Sequence, residues 1–475
     1  MTTPPWYDML GVIMIIEVKS HKIISEILRD SGIKLASGCS AHKGCGKCTV
    51  KLHSGIWECR GKLVSAPAQA VACCTFLKSD TGSIEIPETH LLSPQTNEDW
   101  QGTLPMPDDP RTVIAVDMGT TTLAAVRIEY GQVVAKASSF NGQQHFGYDI
   151  MTRIANSGQH FAELRRLLID SVTALLEQLE FRSAARIGVA GNSTECCFLH
   201  GIDPSSIGIF PFRAPQIIFP ERFDLWDGVP VFTVPCMTGL LGGDITAALY
   251  EIPLEPGEML IDLGTNCEIV FNTSSGLLGT SAAAGPAFEG AGISCGSMAV
   301  EGAIDHFFSN GRFSVIGGKK PRSVCGSGLV DFLAAAHHMG TLDKFGRFLS
   351  GASEMEIAPG VVITEEDIAE LLKAKAAVAG AIKTLESFSG TKVAKIKLAG
   401  GFARYLNIDS ACRIGMLPNV PVGIHGNLSL AGAARFALTP EAALPMAEQS
   451  KKIRELHLNE IPGFTGFFTS SLALR

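Results

Sequence analysis

The sequence predicts an α/β protein: a small cysteine-bearing N-terminal domain, then a larger domain built twice on one plan. Three observations predict it. Val113-Ile114-Ala115-Val116 reads as a buried strand running into Asp117-Met118-Gly119-Thr120-Thr121-Thr122, an acidic residue followed by glycine and three hydroxyls. Met259-Leu260-Ile261-Asp262-Leu263-Gly264-Thr265-Asn266 repeats that plan far along the chain. Six of the 13 cysteines fall between Cys39 and Cys74, those two included.

The paired turns carry a chemical expectation. Gly119 and Gly264 let backbone N–H groups approach an anion closely, and Thr120, Thr121, Thr122, Thr265 and Asn266 add side-chain donors. Asp117 and Asp262 would repel a bare phosphate, so each makes sense beside a Mg²⁺ ion or a positioned water. Two such turns in one chain predict a duplicated domain that clamps nucleotide phosphates between its halves. A third element, the strand Ile396-Lys397-Leu398-Ala399 running into Gly400 and Gly401, would admit a nucleoside against bare backbone.

Bulk properties narrow the classes. At 475 residues the chain is too long for one ordinary core. Hydrophobic content of 46%, charged content of 18% and 50 glycines describe a loop-rich globular protein, not a disordered one. A net charge of −8 without a long basic run argues against nucleic acid as a partner. No apolar run approaches the length that spans a bilayer, and the N-terminus has neither a basic segment nor a small-residue cleavage site. A cytoplasmic protein is expected, with residues 1–11 as a loose leader and Met14 as a candidate start.

A first domain is expected over 12–86. Val12 to Val18 reads as a strand, and Ile23, Ile24, Ile27 and Leu28 as one face of a short helix. Cys39, Cys45 and Cys48 have the spacing C-x5-C-x2-C, with glycines at 38, 44 and 46 that let a loop wrap tightly. Thiolates and N–H groups pointed at one centre suit an iron–sulfur cluster. Zinc is the rival, because three close cysteines and a distant fourth also make a tetrahedral site. The fourth ligand is expected at Cys73, with Cys74 the alternative. Cys59 lies in a polar stretch read as a loop. The remaining seven cysteines, among small or apolar neighbours, are read as buried hydrophobes. His42, His53 and His145 read as solvent-facing loop residues.

Residues 87–111 hold five prolines among polar neighbours and form a linker. The nucleotide domain is expected over 112–440 and a helical tail over 441–475. Strands are expected near Leu123–Ile128 and Val133–Ala137, a loop at Phe146–Arg153, and a helix from about Phe161 to Leu179. That helix follows from apolar residues at 164, 167, 168, 172, 175 and 176. The strand Ile187–Ala190 ends in a polar turn that points Asn192 at the cleft. Gly326, Ser327 and Gly328 open a helix whose N-terminus can face an anion. Thr364 to Asp367 has the character of an N-cap and acidic first turn.

The two Asp turns and the Gly-Gly element together resemble the acetate and sugar kinase/Hsp70/actin (ASKHA) superfamily, which implies a duplicated ribonuclease-H-like ATPase fold. The cysteine triplet, with Ala72-Cys73-Cys74-Thr75, resembles a plant-type [2Fe–2S] ferredoxin domain with one extra residue in the first gap, which implies a β-grasp fold. The full series is narrower still: Asp117-Met118-Gly119-Thr120, Ala190-Gly191-Asn192-Ser193-Thr194, Asp262-Leu263-Gly264-Thr265-Asn266, Gly285 to Gly290, Val324 to Leu329, Lys373 to Ala377 and Leu398 to Phe402. In that order it resembles the reductive activators of corrinoid proteins. The resemblance implies a [2Fe–2S] cluster on Cys39, Cys45, Cys48 and Cys73, ATP and Mg²⁺ in the cleft, and an external low-potential electron donor. It also implies a corrinoid protein of a methyltransferase system as partner, returned from Co(II) to Co(I), and it leaves room for a homodimer. Larger members carry a middle domain between ferredoxin and ATPase, which is expected to be missing here because Pro110 leads directly into the first phosphate strand.

Other functions fit parts of the pattern. An ATP-driven donor to another low-potential redox enzyme shares the chemistry but usually bridges a [4Fe–4S] cluster across a dimer. A small-molecule kinase shares the clamp but has no use for a cluster. A pure electron carrier, or a binding module with an inactive ATPase, is the non-enzyme reading.

Overall fold

The computed structural model describes residues 14–19, 21–30, 48–86, 110–147, 149–442, 445–446, 448 and 451–475. Cys39, Cys45, His42 and nearly all of the proline-rich linker lie outside them. The chain divides into two units, Met1–Ser93 and Pro94–Arg475.

In the first unit a four-stranded sheet runs in the order Met14–Val18, Gly82–Ile86, Thr49–Ser54, Ala68–Val71. All three pairings are antiparallel. A second sheet of three short strands, Lys62–Ser65, Ile56–Cys59 and Thr75–Leu77, sits beside it. The expected helix spans Ile24–Asp30, with Ile24 and Leu28 fully buried on its inner face. Trp57, Val50, Leu52, Leu77 and Ile84 complete this small core. Two sequence expectations are corrected here. Cys59 ends the strand Ile56–Cys59. His53 is a strand residue too, and its Nε2 lies 2.6 Å from Glu85 Oε2, so it has a carboxylate partner.

The second unit holds the duplication, and its sheets show it residue by residue. The first half has the strand order Gln132–Phe140, Thr122–Glu129, Val113–Met118, Arg186–Gly191, Val231–Thr233. The second half has Gly276–Ala282, Cys267–Thr273, Glu258–Leu263, Lys395–Ala399, Val422–Ile424 in the same order. In each half the first three strands are antiparallel neighbours and the last two are parallel additions. Asp117 and Asp262 therefore occupy equivalent places. Asp117 pairs across the parallel ladder with Ala190, and Asp262 with Ala399.

The helix Ile150–Gln178 covers one face of the first sheet with Leu164, Leu168, Val172 and Leu175. It starts eleven residues before the expected position, because Asp149 caps it by accepting the Thr152 N–H at 2.8 Å, and non-helical angles at His160 mark a kink inside it. The expected loop thus ends at its cap. The other face is covered by a helix that comes from the far end of the chain. Leu428–Leu438 lies so close that a Cβ on Gly188 would sit 2.1 Å from the Ala433 carbonyl oxygen.

One further expectation changes. The segment after 440 is more than a helical tail: Ile453–Glu455 joins the edge of the second sheet, parallel to Gly276–Ala282, before the helix Phe464–Ser470. Lys375 lies fully buried on the helix Glu365–Ser389 and donates from Nζ to the carbonyls of Ile414 and Ala473 at 2.8 and 2.6 Å. The Thr364 cap holds as a full capping box with Asp367. Among the described residues no helix is long and apolar enough to cross a membrane.

Candidate functional site

The two phosphate turns meet across one cleft. Each follows a strand whose buried apolar side chains fix it in its sheet, so the turn is the first backbone free to face outward. Thr121 Oγ1 lies 2.9 Å from Thr265 Oγ1, one hydroxyl from each half. Gly119, Thr120, Thr121 and Thr122 line the cleft on one side, and Gly264, Thr265 and Asn266 on the other. Asn192 lines it too, and its side-chain Oδ1 caps the helix Ser193–His200 by accepting the Glu195 N–H at 3.0 Å.

The far end is built for a flat group beside bare backbone. Gly400 has φ +95°, and a Cβ there would lie 2.6 Å from Asp262 Oδ1, so the turn tolerates only glycine. Gly326 touches the Phe288 carbonyl so closely that a Cβ would sit at 1.9 Å. Gly401, Ser327 and Tyr405 complete this end, where Phe288 stacks on Phe402 with centroids 5.4 Å apart and planes 7° from parallel. Gly328 does not line the cleft. It faces Ile304, whose carbonyl oxygen would lie 2.4 Å from a Cβ, so its role is close packing of the helix Gly326–His338.

Carboxylates crowd the cleft floor. Asp117 and Asp262 both face it, joined by Asp244 and Glu268, which sequence reasoning did not assign. Glu268 sits directly opposite Asp262 in the antiparallel ladder, a neighbour set by register alone. Burial pushes the Asp262 carboxyl up to about 7, and Asp244 and Asp117 push it the same way. Asp244 rises to about 7 from burial, with Asp117 adding to it. Glu268 is raised strongly, again by burial first. Burial raises Asp117 too, opposed by Ser429 Oγ and Asn427 Nδ2, which donate to its two oxygens at 2.7 and 2.8 Å.

Such a cluster gains from a cation. Among the described residues, however, no three His, Cys, Asp or Glu side chains converge closely enough to share one metal ion. One or two cleft carboxylates are what Mg²⁺ takes when phosphate oxygens and water complete its octahedron.

Beneath the first turn lies a polar support with no sequence signature. Arg153 is fully buried, pairs with Glu195 at 2.6 Å, and donates to the carbonyls of Gly147 and Thr120. Asn141 Nδ2 donates to the Gly119 carbonyl at 3.1 Å. Burial raises Glu195 to about 6 while Arg153 pulls it back. Arg153 thus fixes the backbone of the phosphate turn from behind.

In the first unit, Cys48 and Cys73 are brought together. The Cys73 N–H donates to Cys48 Sγ at 3.5 Å. The Cys73 thiol, hydrogen-bonded to Cys48, draws Cys48 down to about 6, and the same contact pushes Cys73 up. Cys74 is buried, whereas Cys73 is the more open of the two. Two adjacent thiols with an amide aimed at one sulfur fit a cluster ligand pair. Of the scattered cysteines, Cys196, Cys197, Cys236 and Cys267 are fully buried among apolar side chains, and Cys325 lines the cleft as the cap of its helix.

A duplicated ribonuclease-H-like clamp with an Asp-Gly-Thr turn from each half, carried in one chain with a thiol-lined β domain, defines a ferredoxin-fused ASKHA-type protein. Residues 10–78 match the 2Fe-2S iron-sulfur cluster binding domain, residues 112–256 the RACo middle region, and residues 257–475 the C-terminal ASKHA domain of RACo. The chain belongs to the RACo family. The matched middle region begins where the linker ends and is the first half of the clamp.

The chain is 29% identical to the corrinoid activation enzyme RamQ of Eubacterium limosum over 70% of its own length and 65% of that protein. It is 30% identical to a [Co(II) methylated amine-specific corrinoid protein] reductase of Methanosarcina barkeri over 51% of its length and 50% of that protein. It spans between half and two thirds of these relatives. Its fold matches a reductive activator for a corrinoid, iron-sulfur protein with TM-score 0.69 and 25% identity, covering 96% of each chain.

Proposed function

We propose that this chain is a cytoplasmic, ATP-dependent reductive activator that returns an inactive Co(II) corrinoid protein of a methyltransferase system to Co(I). The observation that carries this reading is the presence in one chain of a cluster-binding domain and a two-sided phosphate clamp. A kinase needs only the second and a ferredoxin only the first. The relatives' names, a corrinoid activation enzyme and a corrinoid protein reductase, supply the acceptor.

A [2Fe–2S] cluster on Cys39, Cys45, Cys48 and Cys73 would supply one electron at low potential, itself replenished by an external donor. Cys48 and Cys73 lend the pair of thiols already in contact. In the cleft, Thr121, Thr265 and the turn amides bind the phosphates, and Gly400, Gly401 and Phe402 receive the nucleoside. Asp262 and Asp117 hold Mg²⁺ or orient the attacking water, with Asp244 and Glu268 as further carboxylates around them. ATP and water give ADP and phosphate, while one electron converts Co(II) to Co(I). That reduction is uphill for an ordinary ferredoxin, so hydrolysis is needed to change how the protein grips its partner.

The test is optical. Anaerobic, chemically reduced protein mixed with a Co(II) corrinoid protein should raise the Co(I) absorption band only when ATP and Mg²⁺ are added. Equal reduction without nucleotide sinks the coupling, and ATP turnover with no cobalt reduction points to a different acceptor.

A further inference from the structure

Two of the phosphate-turn hydroxyls, one from each half, are already taken, and by a carboxylate. Thr121 Oγ1 donates to Glu289 Oε2 and Thr265 Oγ1 to Glu289 Oε1, each at 2.8 Å. One side chain therefore bridges the two halves of the clamp, each oxygen accepting from one half. A planar anion held by two Thr donors in the phosphate cleft has the place, charge and bonding of a phosphate group.

Glu289 reaches this position from a single turn, Pro286–Glu289, flanked by Gly285 and Gly290 at positive φ. A Cβ on Gly290 would lie 2.4 Å from Ser297 N, so that end of the turn is anchored. The neighbouring Phe288 stacks on Phe402 at the nucleoside end. The same turn therefore touches both ends of the cleft.

We infer that Glu289 is a built-in stand-in for a nucleotide phosphate: it bridges the two halves through Thr121 and Thr265 and must release both hydroxyls before a phosphate can take them. This rests on the cleft being a nucleotide site. Two anions cannot both take the same two hydroxyls, and a second negative charge beside the first raises the cost. Glu289 is thus a positioning residue that lowers affinity for the phosphate tail and makes binding report as a movement of the Phe288 turn.

The experiment measures binding of ADP and of a non-hydrolysable ATP analogue, each with Mg²⁺, to the full chain by calorimetry. Glu289→Ala should bind the ATP analogue about tenfold more tightly than wild type, the change expected when a competing anion and its hydrogen bonds are removed. Glu289→Gln keeps the shape and one acceptor oxygen but no charge, so it should gain about threefold. A merely structural residue would give weaker binding in both variants, since its loss would loosen the turn. Should Glu289→Ala fail to fold, Glu289→Gln decides alone. Unchanged or weaker affinity for the ATP analogue in a folded variant overturns the inference while leaving the nucleotide site intact. A wild-type protein that binds neither nucleotide overturns both.

Discussion

Asp117 Oδ2 accepts a hydrogen bond of 2.8 Å from Asn427 Nδ2, although 310 residues separate them. Asn427 caps the helix that crosses from the second half to cover the first sheet, and Ser429 on that helix satisfies the other Asp117 oxygen. A carboxylate that lines the cleft is therefore also a joint between the halves. Asn427→Ala should cost about 1–3 kcal/mol, because a cleft carboxylate loses its donor. Asn427→Asp retains an acceptor for the helix cap at Leu430 N yet sets two carboxylates against each other. It should be the less stable of the two variants at pH 8 and recover at pH 5, checked by thermal unfolding at both values.

A second prediction concerns pH. Asp262 and Asp244 are both raised to about 7, by burial before anything else. In the unfolded chain they return to the ordinary carboxylate range near 4. The folded protein therefore binds more protons between those values, and the contribution of these groups falls as pH rises from about 4 to about 7. In EDTA and without nucleotide, Asp262→Asn should have a thermal midpoint a few degrees above wild type at pH 8, with the gap closing at pH 5. Adding ADP and Mg²⁺ at pH 8 should stabilise wild type more than the variant. A pH-independent gap would mean that crowding of charge is not what Asp262 contributes.

The turns around Asp117 and Asp262 were legible because strand, Asp, Gly and Thr are local features, and the fold repeats them at equivalent strand positions. Asn192, Gly400 and Gly401 were legible for the same reason: each follows the parallel strand beside an Asp turn. Glu268 and Asp244 were not. Glu268 sits in an apolar run, and only the hairpin register makes it a neighbour of Asp262. Glu289 lies inside a Gly- and Ala-rich stretch, whose composition does not tell that its carboxylate reaches both turns. The early start of the helix Ile150–Gln178 was hidden by its polar first turns, whose Arg153 faces inward to a buried partner. The strand Ile453–Glu455 is only three residues long, too short for any periodic signal.

A third prediction separates the cysteines. Anaerobically purified protein should be reddish-brown and, once reduced, give an S = 1/2 signal from one [2Fe–2S] centre. Cys48→Ser and Cys73→Ser should each impair it, as should Cys39→Ser and Cys45→Ser. Cys59→Ser should leave it unchanged, since that residue ends a strand with Lys62 as its ladder partner. Cys74→Ser should retain the signal as well, because Cys73 is the one whose amide and thiol reach Cys48. Loss of the signal in Cys74→Ser but not in Cys73→Ser would move the fourth ligand by one residue. Stoichiometric zinc without iron would replace the assignment altogether.

The fourth prediction asks whether the cleft drives the electron. Removing the Asp262 carboxylate leaves Thr121, Thr265 and the turn amides to bind phosphate, so nucleotide binding with Mg²⁺ should be weakened but retained. The position of the metal or the attacking water is lost, and Asp262→Asn should hydrolyse ATP about a hundredfold more slowly. The cysteines lie in a separate unit, so the cluster signal of this variant should equal that of wild type. The chemically reduced variant should then carry its electron yet fail to raise the Co(I) band of a corrinoid partner after ATP is added. Slow hydrolysis with full-rate cobalt reduction would show that binding of ATP, not its cleavage, suffices to move the electron. Full-rate hydrolysis would remove Asp262 from the chemistry and shift attention to Asp117, Asp244 and Glu268, the carboxylates that share its cleft.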